Sequence, residues 1–323
     1  MFRRRAPRHG FTATVPGSRP GAGHPAAGPG APGAAGPGSA GPPGAAGPGS
    51  AGRDPGGPPP PGLEVSTAHL ARVWNYWLGG RDYFAADRAA GEELSREFPH
   101  LAQTARAERA FLVRAVRFLA GPAGIRQFLD VGAGLPAGGN THEIAQRIAP
   151  DTGIVYADND PAVLVHARTL LQSPMLASTP EGTVSYVNAD LRDVAAVLAG
   201  SARTLDLKQP VALIMLGALG HIDDHGAARS ITSQLMDALP PGSYLAIADG
   251  VAGTGPADDA QQRYNDAVPV PYHLRRPDQL ASFFDGLDLI EPGVVPCPQW
   301  KPDAPGGAAP DEPAAYCGVA RKR

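Results

Sequence analysis

The sequence predicts an α/β fold, a doubly wound, Rossmann-like parallel sheet preceded by a helical N-terminal segment. Three observations carry this expectation. From Ile125 onward, short apolar or β-branched runs alternate with helical patterns, as parallel strands joined by crossover helices require. Glycines and carboxylates stand directly after successive strand patterns, where open α/β sheets bind ligands. Before Pro122 the patterning is helical throughout.

The first 62 residues stand apart. From Pro20 to Gly62 all but five positions are Ala, Gly or Pro, too little apolar surface to offset the entropy of ordering the backbone. GAAGPGSAG occurs at 33–41 and again at 44–52, but the glycines break the three-residue period that a collagen triple helix requires. A disordered, partly polyproline-like tail is expected, leaving 63–323 as the folding unit. The chain carries a net charge of -3; the tail has six Arg against one Asp, so the remainder is acidic and presents no basic footprint for nucleic acid. Arg3, Arg4, Arg5 and Arg8 lack the apolar stretch of a secretory signal. The longest apolar run, Val211 to Gly220, is about half the length of a membrane-spanning helix and reads as a buried strand. Cys297 and Cys317 form no CxxC pair and suit a cytoplasmic setting.

Glu64 to Leu78 repeats apolar residues mostly at three and four and stops at Gly79-Gly80; helices over about Phe84–Phe98 and Leu101–Leu119 follow. Strands are expected at Ile125–Asp130, Ile154–Asp158, Val184–Val187, Val211–Leu216 and Tyr244–Ala248. Helices lie between them at Thr141–Ile148, Pro161–Leu171, Leu191–Leu198 and Ala227–Leu239. A helix around Pro277–Phe284 and strands at Leu287–Ile290 and Tyr316–Ala320 complete the chain.

Asp130-Val-Gly132-Ala-Gly134 ends the first strand, where glycines let a ligand approach the backbone. Asp158 ends the second strand, 24 residues beyond Gly134, where a carboxylate can accept both hydroxyls of a ribose. Asp160-Pro161 reads as a helix cap, Asn188-Ala-Asp190-Leu191 follows the third strand, and Asp193 reads as a solvated helix residue. Gly132-x-Gly134-x-x-Ala137 also matches the dinucleotide fingerprint, so spacing leaves a nicotinamide enzyme open. Three details oppose it. Asp130 would lie close to a pyrophosphate, Pro136 to Gly139 delay the next helix to a cap at Asn140 or Thr141, and the acid after strand three suits an adenine amino group. A cofactor with a cationic amino group and no phosphate, S-adenosyl-L-methionine, fits better.

Several segments resemble class I S-adenosylmethionine-dependent methyltransferases, specifically the actinobacterial S-adenosyl methyltransferase family long known as a domain of unknown function. They are ARVWNYWLGGRDYFAADR at 71–88, FLDVGAGLPAGGNTHEIAQRIAP at 128–150, VYADNDPAVLVHARTLL at 155–171, NADLRD at 188–193, PVALIMLGALGHIDD at 210–224 and FFDGLDLIEPGVVPCPQWKPD at 283–303. The resemblance covers essentially all of 64–323. It implies a seven-stranded sheet with the last strand antiparallel, an N-terminal helical lid over 63–122 and a cofactor-binding methyltransferase domain over 123–323. Asp130, Gly132 and Gly134 would meet the methionine part, Asp158 the ribose with Asn159 beside it, and Asp190 with Leu191 the adenine. Gly217 and Ala218 would line the methyl-transfer channel. Gly220 departs from the bulkier residue, such as histidine, that relatives usually carry there.

In Asn75-Tyr-Trp-Leu-Gly-Gly-Arg-Asp82, a helix stop with a packed aromatic pair competes with a lid in which Tyr76, Gly80 and Arg81 close over the cofactor carboxylate. His221, directly after the fourth strand, is the candidate general base. His142-Glu143 lacks the second histidine of a zinc HExxH motif, because position 146 is Gln; the spacing of His221 and His225 reads as a capped loop and not a metal pair. No metal is expected. Tyr264, Tyr272 and His273 are candidates for the acceptor side. The expected activity is methyl transfer to a small-molecule acceptor, with no nucleic-acid partner and no membrane; a binding protein without catalysis is the alternative.

Overall fold

The computed structural model describes residues 65–161, 163–165, 182–252, 261–262, 265, 271–303 and 315–323. The tail, most of the helix expected over Pro161–Leu171, and Tyr264 lie outside the described residues.

Three helices come first: α1 (Leu70–Trp77), α2 (Ala85–Glu97) and α3 (Pro99–Ala120). α1 starts later than its apolar pattern, because the approach to it is held by one buried carboxylate. Asp87 accepts from the His69 N–H and the Arg72 Nε–H, each at 2.8 Å, and from the Phe84 N–H at 2.8 Å, so it fixes the entries of both α1 and α2. α3 opens on Pro99, whose missing N–H is harmless in a first turn. Its Phe111, Leu112, Ala115, Val116 and Leu119 pack on the sheet, whereas Leu101, Ala102 and Ala105 near its start pack with Val73 and Trp77 of α1.

The sheet runs in the order β3-β2-β1-β4-β5-β8-β6. Its strands are β1 (Gln127–Val131), β2 (Gly153–Asp158), β3 (Thr183–Asn188), β4 (Ala212–Leu216), β5 (Tyr244–Gly250), β6 (Asp288–Leu289), β7 (Val295–Pro296) and β8 (Ala315–Arg321). The first five are parallel, and β8 runs antiparallel to β5. β6 pairs with Leu289 opposite Ala320, and β7 with Val295 opposite Cys317, so two short pieces share the far edge of β8. The expected seven strand positions are therefore present, the last one filled by a split edge strand. Sequence patterning missed β7, which contains Pro296; proline is tolerated at a sheet edge because no ladder partner needs its N–H.

Alternation along the strands sorts the core into two layers. Phe128, Ile154, Ala212, Ile214 and Ala246 face α3 and α4 (Thr141–Ile148). Leu129, Val155, Leu213, Met215 and Ile247 face α5 (Val194–Ser201), α6 (His225–Asp237) and the segment from α7 (Pro277–Ala281) to Phe284. α5 begins three residues after the expected Leu191, because Asp193 accepts the Ala196 N–H at 2.9 Å and caps it. Asp193 is thus a cap. Asp224 caps α6 in the same way, through the Ala227 N–H at 2.6 Å.

Candidate functional site

Chain order places β1 and β4 side by side, with β2 and β3 on one flank and β5 on the other. This reversal of strand order opens a crevice at the carboxyl ends of β1 and β4, the place where doubly wound sheets take ligands. Gly132 leaves β1 with φ +74°, and a Cβ there would lie 2.6 Å from the Ala218 Cβ beyond β4. Only glycine allows the two turns to approach this closely. At Gly134 (φ +64°) the added carbon would meet nothing within 4 Å, so the backbone is open to a ligand.

Asp158 ends β2 and faces this turn. One of its oxygens accepts the Gly134 N–H and the other the Asp160 N–H, both at 2.9 Å, so the carboxylate positions the turn and still has lone pairs to spare. Burial raises its pKa, and the two backbone bonds oppose that rise. Asp130 is buried at the end of β1 and accepts the Thr141 hydroxyl at 2.6 Å; burial raises its pKa to about 6 despite that bond and the nearby Arg109.

Several backbone amides from the loop after β1 into the first turn of α4 are bonded to side chains. Ala137 N–H goes to Asn140 Oδ1 at 3.1 Å, Gly139 N–H and Asn140 N–H go to Glu143 Oε2 at 3.0 and 3.2 Å, and His142 N–H goes to the Tyr156 hydroxyl at 2.9 Å. Glu143 is therefore a capping carboxylate. Arg109 of α3 clamps the same loop from outside, through the Gly138 carbonyl at 3.1 Å and Asn140 Oδ1 at 2.7 Å. α1 reaches the loop through Asn75, which donates to the Pro136 carbonyl at 2.7 Å and accepts the Asp82 N–H at 2.9 Å.

Beyond β3, Asn159 Nδ2 donates to Asp190 at 3.1 Å, and Arg192 pairs with the same carboxylate at 3.1 Å while donating to the His221 carbonyl at 2.8 Å. Leu191 packs against the apolar layer that faces α5 and α6. The structure thus gathers Gly132, Gly134, Asp158 and Ala218 directly, with Asp130 beneath and the Asn159–Asp190 pair alongside. Gly217 (φ +63°) sits at the end of β4, where a Cβ would come within 3.0 Å of Glu108 Oε2. Gly80 makes room for the Asn75 side chain. Tyr76 is turned toward α2, with its ring on Tyr83 and its hydroxyl 3.4 Å from Glu92, beside a cleft of about 650 Å³ that Leu78 and Arg106 also line. Arg81 is exposed. The contacts described for Tyr76 do not bring it into the β1–β4 cluster. Asp160 stands at the start of the following helix and lies 3.6 Å from the His69 ring.

His221 lies in the turn after β4. Its Nδ1 sits 3.1 Å from the Pro271 carbonyl, so Nδ1 carries the proton and Nε2 keeps a lone pair; burial lowers its pKa and favours this neutral form. Its ring meets Tyr272 edge-on at 5.3 Å. Tyr272 also explains Gly220, because a Cβ at Gly220 would lie 2.4 Å from the tyrosine ring. Tyr272 fills the space that a side chain at position 220 would take.

Sequence reasoning missed Asn75, Glu108, Arg109, Thr141, Arg192 and Asp249. Asp249 carried a usable signal, an acid at the carboxyl end of a strand. So did Glu108, a charge on the apolar stripe Leu101, Ala105, Leu112, Ala115 and Leu119. Among the described residues, no group of three or more His, Cys, Asp or Glu could hold a metal ion.

A family model described as S-adenosyl methyltransferase matches residues 58–323. Among solved structures, a DUF574 family protein from Streptomyces avermitilis is 43% identical, with a TM-score of 0.73; the match covers 80% of this chain and 99% of that one. A protein from Thermobifida fusca, provisionally named a methyltransferase, is 38% identical over 82% of this chain and 98% of that one, also with a TM-score of 0.73. Among curated proteins none matches the chain.

Proposed function

The chain belongs to the S-adenosyl methyltransferase family, and on that premise we propose that it methylates a small-molecule acceptor with S-adenosyl-L-methionine in the β1–β4 crevice. One observation carries the reading. The turn after β1 has glycine-type openness, but its amides at Gly134, Ala137, Gly139, Asn140 and His142 are bonded to the protein's own side chains, and Asp130 lies under it. A pyrophosphate needs free amides and no nearby carboxylate; a cofactor with an amino group and no phosphate needs the reverse.

In this reading Asp130, Gly132 and Gly134 hold the methionine part, Asp158 accepts the ribose hydroxyls, and Asn159, Asp190 and Leu191 flank the adenine. Gly217 and Ala218 border the channel to the acceptor. S-adenosylmethionine supplies an already activated methyl group, so the protein's task is alignment, which can lower a barrier by roughly 7 to 11 kcal/mol. His221 is the proposed general base: its Nε2 lone pair can take a proton from the acceptor, a contribution of about 10² to 10⁴ in rate.

Residues 63–122 are proposed as the lid segment, with α1 and α2 as its outer part and α3 as its root in the sheet core. The two free, buried cysteines support a reducing, cytoplasmic setting. Incubation with methyl-labelled S-adenosylmethionine and fractionated small-metabolite extract tests the proposal. Label should pass to a low-molecular-weight product, and label transfer only to macromolecular fractions would refute the acceptor class.

A further inference from the structure

We propose that Glu108 and Asp249 form an amine-recognition site on the acceptor side of the crevice, so that the methyl acceptor carries a basic nitrogen. The inference rests on the methyltransferase reading and adds the chemical class of the second substrate. Glu108, on α3, and Asp249, near the end of β5, are 4% and 1% exposed. Each has a buried oxygen without a hydrogen-bond partner, Oε1 of Glu108 and Oδ2 of Asp249. Buried polar atoms are nearly always paired, and two such acceptors in neighbouring carboxyl groups call for a ligand that brings donors.

The placement suits an acceptor. Glu108 Oε2 lies 3.0 Å from where a Cβ of Gly217 would be, beside the turn that borders the proposed channel. Asp249 Oδ1 takes the Tyr272 hydroxyl, which in turn accepts the Gly250 N–H at 3.1 Å, leaving Oδ2 open. The nearest cation, Arg275, does not fill the need. Its Nη1 is 3.9 Å from Asp249 Oδ2, Nη1 and Nη2 donate to the Leu219 and Ile222 carbonyls, and its buried Nε has no hydrogen-bond partner. An alkylammonium group offers up to three N–H donors and one positive charge, whereas a hydroxyl offers one donor and no charge.

Electrostatics agrees with this arrangement. Burial and mutual repulsion raise Glu108 well above the usual carboxylate range, and burial raises Asp249 to about 7. The groups around the pair are Arg275, Tyr272 and Cys297, with Asp223 and Asp224 beyond Arg275. An ammonium entering between the carboxyls favours their ionised forms, and each carboxyl that ionises releases one proton to solvent.

The test uses the full chain with S-adenosylhomocysteine bound. The probes are methylammonium, ethylammonium and benzylammonium against methanol, ethanol and benzyl alcohol, titrated into the millimolar range by calorimetry in two buffers of different ionisation heat. The amines should bind at least about tenfold tighter than their alcohols, with proton release. Glu108→Gln and Asp249→Asn preserve side-chain volume; each should erase the amine preference while changing S-adenosylhomocysteine affinity by less than about threefold. If one variant fails to fold, the other decides. Equal binding of alcohols, no binding of any amine, or an unchanged preference in a folded variant overturns the proposal. Failure of the wild-type chain to bind S-adenosylhomocysteine would instead count against the methyltransferase reading itself.

Discussion

At the scale of single residues, Asp158 and Asp160 are two positions apart and do different work. Asp158 holds the Gly134 turn and has lone pairs left for a ribose, so Asp158→Ala should weaken S-adenosylmethionine binding by about 1.5 to 3 kcal/mol per lost charged hydrogen bond. Asp160→Ala should leave affinity nearly unchanged and lower stability by about 0.5 to 2 kcal/mol, as for a lost helix cap. Calorimetry and thermal melts on both variants separate the two roles; the opposite pattern would remove the ribose assignment. Asp249 gives a second test. Its folded pKa of about 7 lies above that of the unfolded chain, so the folded state holds more protons between about pH 4 and 7, and stability falls as pH rises through that window. Asp249→Asn keeps an acceptor for Tyr272 and removes this loss. The variant should gain on the order of 2 to 4 kcal/mol over wild type at about pH 8 and little at about pH 4. A gain independent of pH would contradict the buried-acid account. Gly220→Ala should lose about 1 to 3 kcal/mol in thermal melts, because its Cβ overlaps the Tyr272 ring, and most of that loss should vanish in a Tyr272→Ala background.

At the scale of elements, the strands and most helices were legible because each buries a face whose period is written in the sequence. Phe128 and Leu129 go to opposite core layers, as do Ile154 and Val155. Boundaries set by a single polar side chain were not legible from periodicity. α1 starts at Leu70 because Asp87, outside it in sequence, captures His69 and Arg72; α5 starts at Val194 because Asp193 turns back to cap it. The site divides the same way. Asp130, Gly132, Gly134 and Asp158 follow strand ends and can be found by position. Glu108 reaches the end of β4 from a helix, and that placement depends on where α3 crosses β4 and β5, which spacing does not encode. The join between α1 and the β1–α4 loop depends largely on Asn75. Asn75→Ala should therefore lower cofactor affinity about three- to tenfold, with a stability loss of about 1 to 3 kcal/mol. Unchanged affinity would show that α1 does not steady the loop.

At the scale of the whole molecule, one sheet carries two polar flanks on either side of the β1–β4 crevice. In the proposed reading the β1–β2–β3 flank offers carboxylates to a ribose and an adenine, and the β4–β5 flank offers His221, Glu108 and Asp249 to an acceptor. No helix among the described residues is long and apolar enough to cross a membrane. A chain starting at Leu63 should keep its melting temperature and cofactor affinity, as the Ala/Gly/Pro composition of the removed segment implies. A loss of several degrees would show that residues before Leu63 contribute to the fold. The central claim is that the crevice is built for a phosphate-free, amino-bearing cofactor. Titrating the folded chain with S-adenosylmethionine and, separately, with NAD in the same calorimeter tests it most directly. The account predicts saturable binding of S-adenosylmethionine and none of NAD; saturable NAD binding without S-adenosylmethionine binding would contradict it.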